Sequence, residues 1–214
     1  MKRIQKVLIL LIIILLTSIS IFIIYEKTYT ATYTFLSIGD GLSLGLNPNE
    51  IKSFGYNEYI KEYLKNKKIK YNYLNYSEKN ISIKELTNEL LYMKSSVLED
   101  YLRKSNIVIL SIGEEEINKN KTSISIKEDL NDLIKELKKY NNNICLLGRY
   151  SSLNVTHEKI NKINNIYKEL SKSHKLKYID IDYTYMYLPN KDNIYPNSKG
   201  YENISFSIIK AMEL

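Results

Sequence analysis

Five short apolar runs, separated by stretches with helical periodicity, constrain this chain more than any other feature. The runs are Tyr33–Ile38, Lys70–Tyr76, Ile107–Ile112, Ile144–Leu147 and Leu176–Ile181. Ile107–Ile112 and Ile144–Leu147 are apolar almost throughout, as strands buried on both faces are. Between the runs, apolar residues recur every three or four positions. Tyr59, Ile60, Tyr63 and Leu64 form one such stripe within Tyr56–Asn66; Ile83, Leu86 and Leu90 form another within Ser82–Met93. A shorter helical piece follows over Val97–Arg103. Lys127–Tyr140 aligns Leu130, Leu133, Ile134 and Leu137, and Thr156–Ser173 aligns Ile160, Ile163, Tyr167 and Leu170. Ser198–Met212 closes the chain as a helix. Strand and helix thus alternate five times. That pattern predicts a three-layer α/β/α sandwich around a five-stranded parallel sheet of flavodoxin-like type. Ligand sites in such sheets lie beyond the carboxyl ends of the strands. The loops after Ile38, Tyr76, Ile112, Leu147 and Ile181 are therefore where chemistry belongs.

Ahead of this domain stands a different kind of segment. Lys2, Arg3 and Lys6 precede the apolar run Val7–Ile24, interrupted only by Thr17, Ser18 and Ser20. Its 18 residues reach roughly 27 Å as a helix at ~1.5 Å per residue, close to the thickness of a bilayer's hydrocarbon core. The run ends in Phe22-Ile23-Ile24-Tyr25, without the small residues of a cleavage site. A cleaved signal peptide, with Ala31 the one nearby small residue, is the competing reading. The expected organisation is a basic cytoplasmic tail at 1–6, a transmembrane anchor at 7–25, a linker at 26–32 and an extracytoplasmic domain at 33–214. Basic residues before the helix, with Glu26 and Lys27 cancelling after it, put the N-terminus inside and the domain outside the cell membrane.

Charge narrows the partners. The chain carries 31 Lys and Arg against 24 Asp and Glu, a net of +7. Part of that excess belongs to the anchor, and the rest alternates in sign along the helices as on solvated faces. Nucleic acid is not an expected partner. The single cysteine, Cys145, lies in the run Ile144–Leu147, so it forms no disulfide within the chain and is expected in the core. The 20 Tyr are put down to A/T-rich codon bias.

Four landmarks in the loops resemble the SGNH (GDSL) hydrolases across residues 33–212. Phe35-Leu36-Ser37-Ile38-Gly39-Asp40-Gly41-Leu42-Ser43 matches the first strand with its Gly-Asp-Ser block. Asn75–Ser82 lies where a second block holds a Gly. Ile109-Leu110-Ser111-Ile112-Gly113-Glu114-Glu115-Glu116 matches the strand ending in Gly-x-Asn-Asp. Asp192-Asn193-Ile194-Tyr195-Pro196-Asn197-Ser198-Lys199-Gly200-Tyr201 matches the Asp-x-x-His-Pro block before the last helix. The resemblance implies acyl hydrolysis by a Ser nucleophile, a His base and an orienting Asp, with backbone amides and an Asn as oxyanion hole. It implies no cofactor and no metal.

Carried over residue by residue, almost every part of that machinery is replaced. Gly41 stands at the nucleophile, Tyr195 at the base, Glu115 at the oxyanion Asn and Asn80 at the second-block Gly. Only Asp192 is kept. A glycine has no attacking atom, and a phenol with a pKa of ~10 is a poor base at neutral pH. Loss of nucleophile and base together leaves no ordinary route to acyl transfer. The expectation is a pseudoenzyme that binds or scaffolds at the cell envelope, with a glycan, an acylated polymer or a protein as partner. The alternative is an active esterase with a rearranged site, using Ser43 as a shifted nucleophile and His157 as base. The plainer readings are that Ser43 faces solvent or caps a turn, and that His157 is a surface or capping residue. A third possibility is a structural partner in a membrane complex. Asp40, Gly113, Glu115, Asp192 and Tyr195 are expected to line the cleft. With Glu114 and Glu116, the acidic residues there could instead form a pocket for a hard cation, against the simpler reading of a solvated acidic turn. Tyr183, Tyr185 and Tyr187 could line a sugar-binding cleft, or merely pack at the sheet edge. His174, ending its helix, is expected at the opposite edge.

Overall fold

The structure, a computed structural model, describes residues 5, 11–21, 33–92, 97–150, 157–181 and 195–213. It divides into two units, Met1–Thr32 and Tyr33–Leu214.

In the first unit, residues 11–21 are helical and their Leu and Ile side chains are exposed. The hydroxyls of Thr17, Ser18 and Ser20 donate to the carbonyls of Ile14, Ile14 and Leu16 at 2.8–2.9 Å. Polar side chains in an apolar helix are accommodated this way, by bonding back to the preceding turn. Among the described residues no helix is long and apolar enough to cross a membrane.

The second unit is a parallel sheet of β1 (Tyr33–Gly39), β2 (Tyr71–Ser77), β3 (Ile107–Ser111), β4 (Ile144–Leu147) and β5 (Lys177–Ile179), in the order β2-β1-β3-β4-β5. Alternation along each strand assigns its side chains to two faces. Leu36, Ile38, Val108, Leu110, Ile144 and Leu146 point to one. There they meet helices α3 (Ile83–Tyr92), α4 (Val97–Lys104), α6 (Ser123–Lys138) and α7 (His157–His174). Phe35, Ile107, Ile109, Cys145, Leu147 and Ile179 point to the other, against α2 (Tyr56–Asn66) and α8 (Ser198–Met212). The result is the expected three-layer sandwich. Cys145 is core, as its neighbours imply, and burial pushes its thiol up to about 11. His174 ends α7, its Nε2 2.8 Å from Asn131 Oδ1.

Two short helices complete the fold, α1 (Gly41–Leu44) and α5 (Glu114–Asn118). Neither shows in the sequence periodicity, because each is little more than one turn. Both follow a strand directly, and their starts depend on backbone chemistry. Asp40 caps α1, its Oδ1 accepting from Leu42 N at 3.3 Å, and Gly113 leads into α5 at φ +123°. Helix α6 begins a full turn before the expected Lys127, because Thr122 caps it by accepting from Ser125 N at 3.2 Å. β5 is shorter than the apolar run Leu176–Ile181 suggests.

The strand order places β1 between β2 on one side and β3 on the other. The chain therefore reverses its direction of progress between β1 and β3. Such a switch point opens a crevice at the carboxyl ends of those two strands, where the loops 40–41 and 113–114 meet.

Candidate functional site

At the carboxyl end of β1 the backbone leaves no room for a side chain. Gly39 has φ +145°, and a Cβ there would lie 1.7 Å from the carbonyl oxygen of Ser111. This approach lets Asp40 N donate to that carbonyl at 3.1 Å and seats Asp40 beneath the crevice, fully buried. Its carboxylate ties three loops together. Oδ1 accepts from Leu42 N, while Oδ2 accepts from Glu114 N at 3.1 Å and from Arg149 Nη1.

Arg149 comes from the loop after β4 and is 8% exposed. Asn164 of α7 clamps its backbone, accepting from Arg149 N and donating to Arg149 O, both at 2.8 Å. The guanidinium faces Asp40 and also Glu114, with Nη2 3.6 Å from Glu114 Oε2. The other carboxylate oxygen, Oε1, accepts from the Tyr195 hydroxyl at 2.7 Å. One cation thus serves two buried carboxylates. Burial, and then the charge of Asp40, push the Glu114 carboxyl up to about 7. The Tyr195 phenol is held above its ordinary value by burial, then by Glu114, and stays protonated as the donor.

Tyr195 is 1% exposed and its ring lies over Gly41. A Cβ added at Gly41 would come 2.2 Å from the phenol oxygen and 2.5 Å from two ring carbons. The volume that a side chain at 41 would use is therefore already filled by the residue at 195. The two replacements anticipated from the sequence, at the nucleophile and base positions, are complementary in shape.

Ser43 is neither solvent-exposed nor a cap. It is fully buried, donating at 3.4–3.5 Å to the carbonyls of Ile38 and Ser111 and accepting from Tyr56 Oη at 3.3 Å. Within α1 its side chain turns inward, onto the carboxyl ends of β1 and β3. His157 begins α7 on the crevice edge of the sheet, and its side chain lies outside the described residues. Asp192, Tyr183, Tyr185 and Tyr187 also lie outside them.

The acidic run divides among separate partners instead of forming one pocket. Glu115, expected at the oxyanion position, pairs at 2.6 Å with Lys119, one helical turn on. Glu114 takes the inward place, because α5 starts so that residue 114 and not 115 turns toward Asp40. Glu116 is fully buried, and its Oε1 accepts from Ile83 N at 3.1 Å, capping α3. Among the described residues no group of three or more His, Cys, Asp or Glu is placed to hold a metal ion. Gly113 is buried beside Ile163. Asn80 is exposed in a left-handed turn, at φ +64°, and does not join the cluster. Instead Asn75 Nδ2 donates to Ser43 O at 3.2 Å. Arg149 escaped the sequence reading, although a cation directly after the buried run Ile144–Leu147 was a visible signal.

The raised Glu114 pKa carries a sign. Between its unfolded value near 4.5 and its folded value of about 7, the folded domain holds more proton than the unfolded chain. Stability contributed by this group is complete below pH 4.5 and declines as pH rises toward 7. Urea midpoints across pH 4.5–7.5 should show that decline, and Glu114→Gln should flatten it.

No family model and no curated protein matches the chain. Solved structures do. TesA superposes with a TM-score of 0.69 at 15% identity, over 84% of this chain and 98% of that one. Axe2, an acetylxylan esterase from Geobacillus stearothermophilus solved as a catalytic mutant, gives 0.69 at 13%, over 86% and 95%. A lipase/acylhydrolase from Enterococcus faecalis gives 0.69 at 16%, over 85% and 96%. Likeness at these identities speaks for architecture alone, and it agrees with the order of the four sequence landmarks: the chain has the SGNH (GDSL) hydrolase fold.

Proposed function

We propose that this chain is a membrane-anchored, extracytoplasmic module of SGNH-hydrolase fold that binds or scaffolds at the cell envelope and performs no acyl transfer. One observation carries the second half of that reading: the buried phenol of Tyr195 occupies the space a nucleophile at position 41 would need. Around it, Arg149 is paired with Asp40 and lies 3.6 Å from Glu114, whose other oxygen is taken by Tyr195, which suits a structural cluster better than a reacting centre. The anchor rests on the apolar run Val7–Ile24 behind Lys2, Arg3 and Lys6. Structures sharing the fold include acyl hydrolases and an acetylxylan esterase, so an acylated glycan is a natural ligand class for a surface that has kept the scaffold. A protein partner is the other.

The rearranged-esterase alternative requires Ser43 to meet substrate, and its burial weighs against that. Hydrolysis of an aryl acetate by the full chain in detergent is the test. We expect rates equal to those of a heat-denatured control, and no change in Ser43→Ala. Turnover above the control that disappears in Ser43→Ala would overturn the proposal in favour of the esterase.

A further inference from the structure

Beside the sealed cluster, where α5, α6 and the start of α7 meet, lies a cavity of about 210 Å³. Isoleucine side chains wall it, and neither Gly41, Glu114, Arg149 nor Tyr195 lines it. Its polar lining is uneven in charge. Lys121, Lys159 and Lys162 stand there with a single carboxylate, Glu116.

Lys121 is already paired with Glu116 and, at 3.4 Å, with Asp129; the other charged groups are less well matched. Glu116 is fully buried; its Oε1 is engaged by Ile83 N and by Lys121 Nζ at 3.3 Å. Oε2 is also buried and has no hydrogen-bond partner among the described residues. A buried acceptor left unmet is costly, so this oxygen calls for a donor. Lys159 Nζ donates to the neutral Asn120 Oδ1 and has no carboxylate partner among the described residues. Among the described residues Lys162 pairs only with Glu158, at 2.9 Å, and Glu158 is largely solvent-exposed. Ser123, the first residue of the 16-residue helix α6, also lines the cavity, and the first turn of that helix holds no acidic residue. Its amino-terminal partial charge adds to that of the lysines.

A simple cation would meet three lysines, and a bare anion would meet the Glu116 carboxylate. A molecule with an anionic end and a hydroxyl end satisfies both. We infer that this cavity binds a phosphorylated polyol, with the phosphate held by Lys159 and Lys162 near the start of α6 and a hydroxyl donating to Glu116 Oε2. The volume suits a polyol of about three to five carbons. A soluble or polymeric polyol phosphate and a phosphoglycerol lipid headgroup share this chemistry. The inference reads binding rather than turnover, so it stands or falls separately from the inactive-cleft proposal.

Calorimetric titration of the full chain in detergent micelles tests it, with sn-glycerol 3-phosphate, inorganic phosphate and short-chain dihexanoyl-phosphatidylglycerol as probes. Glycerol phosphate should bind with a Kd on the order of 1 mM or tighter. Inorganic phosphate should be weaker by at least about fivefold, for want of the hydroxyl that meets Glu116. Combined Lys159→Gln and Lys162→Gln should weaken glycerol phosphate by about tenfold, with an unchanged melting temperature, since both side chains are exposed. Tighter binding of the short-chain lipid than of glycerol phosphate would assign the headgroup as ligand; the reverse would assign the soluble form. Absence of binding by either, equal binding of inorganic phosphate, or wild-type affinity in the lysine variant would each overturn the inference.

Discussion

Gly41→Ser should destabilise the domain by about 3 kcal/mol, at the upper end of what overpacking a well-filled site costs. The backbone at 41 does not oppose a side chain. What opposes it is Tyr195, whose phenol oxygen and two ring carbons lie within 2.5 Å of the new Cβ. Moving the Tyr195 ring aside would break its hydrogen bond to Glu114, to which it donates at 2.7 Å. In a domain of this size the loss should appear as a fall in Tm of roughly 6–12 °C. The cause can be isolated by changing the partner. Tyr195→Ala alone should cost about 3–5 kcal/mol through the cavity it leaves, and Gly41→Ser should then add almost nothing. In a Tyr195→Phe background the penalty should persist, because removing the hydroxyl leaves the two ring carbons in place. A double-mutant cycle read by urea denaturation reports that coupling. Additive losses would mean that the two residues do not share the space.

Arg149→Met should be as damaging or more so. The guanidinium is the only cation among the described residues that faces both Asp40 and Glu114. Replacing a whole buried ion network with apolar residues is often tolerated, but removing one partner strands the others, typically at about 3–5 kcal/mol. Arg149→Lys should recover part of this, since an ammonium supplies charge without the planar fork that spans two carboxylates. The defect should also depend on pH. At about pH 5 Glu114 is protonated in the folded state, so less stranded charge remains there and Arg149→Met should lose less than it does at pH 8. Chemical denaturation of both variants at the two pH values measures this; an equal loss at each would separate Arg149 from Glu114.

Much of the architecture was legible from local pattern, because burial imposes a period on the chain. Ile107–Ile112 had to be a two-sided strand, and Leu130, Leu133, Ile134 and Leu137 had to share a helical face; both are found so. The short helices α1 and α5 were not legible, since four or five residues do not establish a period. Their absence from the reading had a consequence at the site. Whether residue 114 or 115 turns inward depends on where α5 begins, and that is set by the backbone at Gly113. Landmark spacing therefore pointed to Glu115, whose partner is the exposed end of Lys119. The sequence also showed that Gly41 and Tyr195 depart from the hydrolase pattern, but as two separate losses. Only the fold brings them together across 154 positions and shows one filling the other's space. Arg149 belongs to the same class: its loop was flagged, yet a lone cation has no meaning until the carboxylates around it are known.

The most direct measurement of the central claim is the intact mass of the full-length chain after exposure to a serine-reactive fluorophosphonate. With the Tyr195 ring over Gly41 and Ser43 buried on the inner side of α1, the mass should stay unchanged while a GDSL esterase labelled in parallel gains one adduct. A stoichiometric adduct on this chain, mapped to any serine at the crevice, would contradict the account.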